Sequence, residues 1–151
     1  MNPHQPEAAT DSTARRVVRL GGTAIALALF AATMWFAWLG WDHEYYLVDG
    51  VAQGPYRTWQ VLGCGSSIAA ACVLAHLRVR GTGAIFVLAA AAVIGFAVPF
   101  AQDAASTDDS GLWVVGLFLV VVGGGIGLVV LMAVSAAAVR TVRRLRPPSR
   151  D

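Results

Sequence analysis

The sequence has no lysine, and long parts of it have no charged residue of any kind. Charged residues make up 13% of the 151 residues, whereas roughly a quarter is usual in a soluble domain. Hydrophobic residues make up 57%, and the mean hydropathy is +0.64. This scarcity of charge excludes an ordinary soluble enzyme domain and indicates an integral membrane protein.

Four segments contain no Asp, Glu, Lys or Arg: residues 20–41, 58–77, 81–102 and 110–139. A helix rises about 1.5 Å per residue and the hydrocarbon core is about 30 Å thick, so each segment can cross a bilayer once. Apolar residues fill both alternating positions of these segments, which excludes transmembrane β-strands. We predict an all-α, membrane-embedded, up-down-up-down four-helix bundle, because short connections make consecutive spans antiparallel neighbours.

The predicted organisation has three parts: a disordered cytoplasmic tail at residues 1–19, a four-helix transmembrane domain at 20–139 and a basic cytoplasmic tail at 140–151. The predicted spans are residues 20–41, 58–77, 84–101 and 112–139. Pro99 is expected to kink or end the third helix. The first span is interpreted as a retained signal anchor, because its apolar run is longer than that of a cleaved signal peptide.

Arginines lie on one side of these spans. Ten of the eleven precede the first span, separate the second from the third or follow the fourth, and Arg57 is the exception. The positive-inside rule therefore predicts a multi-pass protein with both termini in the cytoplasm and the connections at 42–57 and 103–109 outside. Acidic residues are concentrated in those two outer connections.

The aromatic residues that carry a polar atom lie near the predicted outer side. Together with neighbouring polar residues they define a candidate partner site, the outer face: Trp41, Asp42, His43, Glu44, Tyr45, Tyr46, Asp49, Tyr56 and Trp59. Trp and Tyr favour the headgroup level, so part of this pattern is an ordinary aromatic belt. The Asp49-Gly50 pair favours a type I′ turn and predicts a short hairpin from residues 46–48 and 51–53.

Three interpretations of the outer face remain open. It can be a solvated loop region, a docking surface for a partner, or a cation or small-ligand site in which carboxylates and ring faces attract positive charge. Asp42, His43 and Glu44 offer metal-ligand atoms, but three consecutive residues point in different directions on most backbones. The sequence thus predicts no metal site and no cofactor.

Small residues at a spacing of four mark surfaces where helices can approach closely. The predicted packing positions are Gly63, Ser67, Ala91, Gly95, Gly123 and Gly127. These positions can pack within one chain or between two copies of it, and the sequence does not choose between the two.

The ionisable residue His76 lies near the inner end of the second charge-free segment, and we expect it at the membrane interface. Cys72 and His76 share a helix face but do not form a recognised metal-ligand pattern. Cys64 and Cys72 are eight residues apart on one helix, about 12 Å, which is too far for a disulfide. We predict no catalytic residues and expect that the protein is not an enzyme.

A longer pattern resembles a group of small four-span membrane proteins of high-GC actinobacteria. It comprises Trp41-Asp42, Glu44-Tyr45-Tyr46, Asp49-Gly50, Gly54-Pro55-Tyr56, Trp59-Gln60-Val61, Gly63-Cys64 and Asp109-Ser110-Gly111-Leu112-Trp113. The resemblance covers nearly the whole chain, and the Arg-rich, Lys-free, Ala-rich composition is similar. It implies the bacterial cytoplasmic membrane but carries no activity.

The sequence favours a non-enzymatic accessory or scaffold subunit that uses the outer face to bind a membrane-protein partner. The alternative is a small oligomeric channel or transporter component. The expected partners are the lipid bilayer and another membrane protein or a second copy of the chain, with no nucleic acid.

Overall fold

The computed structural model describes residues 5–41, 46–48, 51–54, 56–107 and 111–145. Its helices are α1 (Gln5–Trp38), α2 (Thr58–Val79), α3 (Thr82–Thr107), α4 (Trp113–Leu119) and α5 (Gly125–Leu145). A π-helical segment, Val120–Gly124, joins α4 to α5, so that Trp113–Leu145 is one continuous fourth helix. Within the described residues, four helices are long and apolar enough to cross a membrane. The predicted all-α four-helix fold is confirmed.

Two short strands lie between α1 and α2. Strand β1 (Tyr46–Val48) pairs antiparallel with β2 (Val51–Gln53), with Tyr46 opposite Gln53 and Val48 opposite Val51. These strands cover the residues predicted for the hairpin. The turn pair Asp49-Gly50 lies outside the described residues.

The N-terminal segment differs from the prediction of a disordered tail at residues 1–19. Helix α1 begins at Gln5, so residues 5–19 are helical. An existing helix extends more easily than a new one starts, because each added residue gains a hydrogen bond without a new nucleus. The apolar span supplies the nucleus, and Ala8, Ala9 and Ala14 are strong helix formers.

Two other helices also run beyond their predicted ends. Helix α3 continues through Pro99 to Thr107, so Pro99 does not end it and the predicted connection at 103–109 is helical as far as Thr107. Proline lacks the N–H that would bond the Gly95 carbonyl, a loss that membrane helices tolerate. Helix α5 continues to Leu145, into the predicted tail at 140–151.

The helices pack in the order α1, α2, fourth helix and α3 around the bundle. Helix α1 contacts α2 and α3, the fourth helix contacts the same two helices, and α1 does not contact the fourth helix within the described residues. The most extensive contact joins α1 to α3, which are not consecutive in the chain. The buried core includes Ala31, Leu88 and Ala92 from this pair of helices.

Gly95 explains why α1 and α3 approach so closely. A Cβ atom built on Gly95 would overlap the carbonyl group of Ala28 and lie 2.7 Å from Ala28 Cα. Only a residue without a side chain allows the two backbones to meet in this way. The packing predicted at Gly95 is therefore made within the chain.

The other predicted packing positions divide into two groups. At Gly63, a Cβ would lie 2.6 Å from Cη2 of Trp38, so α1 also needs this glycine on α2. Ser67 donates a hydrogen bond to the Gly63 carbonyl at 2.7 Å and, like Ala91, is half-buried. By contrast, nothing lies within 4 Å of a Cβ built on Gly123 or Gly127. The packing predicted at these two glycines is not made within the described residues.

The bundle has two chemically different ends. At one end, the arginine end, the Arg19 guanidinium of α1 donates to the carbonyl of Arg78, which ties α1 to the last turn of α2. Gly81, in the turn between α2 and α3, has a φ of 116°, a conformation that favours glycine. The opposite end, the tryptophan end, holds the C-terminus of α1, the N-terminus of α2 and the C-terminus of α3. A hydrogen bond between Tyr56 and Asp103 connects the segment before α2 to α3.

Candidate functional site

Trp38 and Trp59 form an aromatic pair at the tryptophan end. Their ring centroids lie 6.1 Å apart with the planes at 69°, an edge-to-face arrangement that the ring quadrupoles favour. Trp38 is half-buried because its ring lies on Gly63. Trp59 remains 52% exposed. The pair therefore joins α1 to α2 and leaves one indole available at the surface.

Trp41 lies just beyond the end of α1 and is 60% exposed. Its Nε1 donates a hydrogen bond to the carbonyl of Ala37 at 3.0 Å, four residues earlier. This bond uses one of the carbonyls that a helix C-terminus leaves without an N–H partner. The indole is thus held in position while most of its apolar surface faces outward.

Tyr56 and Asp103 connect the segment before α2 to the last turns of α3. The Tyr56 hydroxyl donates to Oδ2 of Asp103 at 3.2 Å, and both side chains are half-buried. The Asp103 carbonyl also accepts hydrogen bonds from the hydroxyls of Ser106 and Thr107, at 2.7 and 3.0 Å. The Tyr56 hydroxyl therefore holds the Asp103 carboxylate beside one aromatic ring of this end, whereas Ser106 and Thr107 bond only the backbone of the same helix.

Gln60 fixes the beginning of α2. Its side chain is fully buried, and its Oε1 accepts a hydrogen bond from the Arg57 backbone N–H at 2.7 Å. This is one half of a capping box, in which residue N3 reaches back to the N-cap backbone; the Arg57 side chain has no acceptor atom for the reciprocal bond. This interaction fixes the first turn of α2, which contains Trp59.

The structure describes part of the predicted outer face. Trp41, Tyr56 and Trp59 lie at the same end of the bundle. Asp42, His43, Glu44, Tyr45 and Asp49 lie outside the described residues, as does the side chain of Tyr46. The interpretation of Asp42, His43 and Glu44 as metal ligands is therefore untested. Among the residues that are described, no three His, Cys, Asp or Glu side chains group together as metal ligands would.

Three residues that contribute to this site were not among the predicted site residues: Trp38, Gln60 and Asp103. Trp38 belongs to the aromatic cluster at the end of the first span, but its position over Gly63 depends on how α1 meets α2. The usual sequence signal of a capping box needs Ser, Thr, Asp or Asn three residues before the Gln, and Arg57 stands there instead, so the sequence alone does not identify Gln60. Asp103 is one of the predicted outer acids, and its bond to Tyr56 depends on the tertiary structure.

Both cysteines lie in the core of the bundle and are free thiols. Cys64 is 2% exposed and Cys72 is fully buried. Their burial gives them the role of small apolar side chains and opposes a cross-link between two copies through Cys64.

An apolar groove of about 450 Å³ lies between α2, α3 and the fourth helix. Its lining includes Ile68 from α2, Phe96 from α3 and Leu128 from α5, with Gly124 and Gly127 at its edge. It has the lipophilic lining expected where a membrane protein meets an acyl chain or another apolar helix.

In comparisons with known proteins, no family model, curated protein or solved structure matches this chain.

Proposed function

We propose that this protein is a non-enzymatic accessory or scaffold subunit that binds another membrane protein through its tryptophan end. The observation that carries the proposal is the exposure of Trp41 and Trp59 at one end of the bundle, beside the Tyr56–Asp103 pair. Tryptophan and tyrosine are enriched at protein interfaces, because a large apolar ring and a polar atom occur in one side chain.

The two exposed indoles are also preorganised. Trp41 is fixed by its hydrogen bond to Ala37, and Trp59 by its edge-to-face contact with Trp38. Side chains that are already ordered lose less conformational entropy on binding, so more of their contact energy becomes affinity. A carboxylate at Asp103 adds a polar contact next to these apolar surfaces.

The proposed orientation in the membrane follows from the distribution of the arginines along the chain. The arginine end faces the cytoplasm of a bacterial cell and the tryptophan end faces outward, in agreement with the positive-inside rule. The resemblance to actinobacterial four-span proteins remains a prediction, as does the absence of enzymatic activity. The latter rests on the lack of a Ser-His-Asp or Cys-His arrangement, a phosphate-binding glycine loop or a zinc-ligand spacing in the sequence.

The experiment is quantitative recovery of partners from the protein's own membrane. Trp41→Ala combined with Trp59→Ala removes both exposed indoles, and partner recovery is expected to fall about tenfold or more, as for interface hot spots. The matched control is Phe118→Ala, because Phe118 is an aromatic residue with 63% exposure on the fourth helix. Partner recovery that is equal in the double variant and the control would refute the proposal.

The alternative function, an oligomeric channel or transporter component, gains support from the fourth helix. Gly123 and Gly127 have open space beside them, and exposed glycines on a membrane helix favour close packing with another copy. The test is ion or solute flux in liposomes that contain the pure protein. Flux that Gly127→Leu abolishes would support this function, and tight liposomes for every solute tested would contradict it.

A further inference from the structure

A small basic pocket lies at the arginine end, between the C-terminal part of α2 and the C-terminal part of α5. Its volume is about 190 Å³, and its lining includes Arg80, Arg140 and Arg143 together with His76. Arg80 follows α2, where its backbone N–H bonds the His76 carbonyl at 2.8 Å. The two arginines of α5 are three residues apart and therefore lie on one face of the helix.

His76 is the buried member of this group. It is 5% exposed, and its Nδ1 has no hydrogen-bond partner among the described residues. A buried polar atom without a partner costs free energy, so such atoms are rare and a bound water, ion or ligand commonly satisfies them. An imidazole nitrogen can donate a hydrogen bond to an anionic oxygen.

Within the described residues, the charged side chains around the pocket are all positive. None of the described side chains pairs as an acid with Arg80, Arg140 or Arg143, and the one acidic side chain that the structure describes, Asp103, lies at the tryptophan end. One further arginine comes from α1, since Arg16 Nη2 would lie 2.8 Å from a Cβ built on Gly81, which also lines the pocket. An anion in this pocket would be attracted by several guanidinium groups at once.

A shallow apolar pocket adjoins the basic one. Its lining consists of Ala138, Val139, Val142 and Arg143, so Val139 and Arg143 belong to both pockets. A phospholipid presents the same combination, since its charged phosphate is attached to acyl chains. The juxtaposition favours a lipid over a soluble anion.

We propose that this pocket is a binding site for a phosphate group, supplied by the headgroup of an anionic phospholipid. Arg80, Arg140 and Arg143 bind the phosphate oxygens, His76 donates a hydrogen bond from Nδ1, and the acyl chains lie along Val139 and Val142. The inference requires that the chain spans a bilayer but does not depend on a partner at the tryptophan end.

The test is native mass spectrometry of the full chain in detergent, titrated with phosphatidylglycerol, phosphatidylcholine or inorganic phosphate. For the unaltered protein we expect at least about tenfold tighter binding of phosphatidylglycerol than of phosphatidylcholine, because each arginine near a headgroup contributes about fivefold. Equal affinities for the two lipids would overturn the proposal without any variant.

Variants locate the site. Arg140→Gln combined with Arg143→Gln is expected to weaken phosphatidylglycerol binding about 25-fold, at about fivefold per arginine. The control is Arg144→Gln, which removes one positive charge from the same helix, against two in the double variant, and lies outside the pocket lining. We expect less than about a twofold effect there.

Two further outcomes are decisive. An equal loss in Arg144→Gln and in the double variant would show diffuse charge attraction and overturn the site. Inorganic phosphate that binds only when Arg140 and Arg143 are present would support the anion site and identify a soluble phosphate as its source.

Discussion

The contact between α1 and α3 can be tested with a single methyl group. In Gly95→Ala the new Cβ would overlap the carbonyl group of Ala28 and lie 2.7 Å from Ala28 Cα. These are backbone atoms of a helix, so they cannot rotate away as the end of a flexible side chain would. The two helices must therefore move apart, which also loosens the packing of the buried Ala31 and Leu88.

Two opposing effects set the size of the change. Alanine is favoured over glycine in a helix by about 1 kcal/mol. Overpacking of a well-packed core costs about 1–3 kcal/mol, and the upper part of this range applies because the overlap is with backbone. We expect Gly95→Ala to lower the free energy of unfolding by about 1–2 kcal/mol.

The assay is reversible unfolding in mixed micelles, followed by circular dichroism as the fraction of sodium dodecyl sulfate rises. Gly127→Ala is the matched control, because it makes the same change on α5 with nothing within 4 Å of the added atom. The control should be unchanged or stabilised by up to about 1 kcal/mol. If Gly95→Ala is as stable as Gly127→Ala, α1 and α3 do not meet at Gly95 and the described packing is incorrect.

Two more predictions concern the tryptophan end and the orientation of the chain. Tyr56→Phe removes the hydrogen bond to Asp103 and should lower the free energy of unfolding by about 1 kcal/mol in the same assay. Ser106→Ala, which removes an exposed local bond, should have less than half this effect, and the reverse order would contradict the role of the Tyr56–Asp103 pair. A Gly54→Cys variant, at an exposed site with open space, should react with a membrane-impermeant maleimide in intact cells, whereas the buried Cys64 and Cys72 should react only after denaturation. Labelling of Gly54→Cys only after the cells are opened would reverse the proposed orientation.

The sequence predicts the tryptophan end better than its individual contacts. The exposed residues Trp41 and Trp59 follow from the aromatic clusters at the ends of the first two spans. The Tyr56–Asp103 bond joins residues 47 positions apart, and no local pattern specifies such a pair. The position of His76 at the membrane interface stays a prediction, and only the tertiary structure shows that its side chain is buried on the side of α2 that faces α5.

The glycine patterns show the same limit of prediction from sequence. Gly63, Gly95 and Gly127 all occur in small-residue patterns, but only the first two meet another helix within the described residues. In a membrane span nearly every helix face is apolar, so periodicity does not reveal which face is turned toward a neighbour. The π-helical segment Val120–Gly124 was not predicted either, although its glycines, which are poor helix formers, are a signal for irregular helix.

The sequence by itself determined the number of helices, their approximate limits, the hairpin strands and the division of the chain into an arginine end and a tryptophan end. These properties depend on the length of apolar runs and on the charge between them, which are local quantities. The tertiary structure alone decided that α1 packs most extensively on α3 and that Arg80, Arg140 and Arg143 gather around His76. Those contacts depend on how helix faces match in three dimensions, because a close approach such as that at Gly95 is a property of two surfaces together.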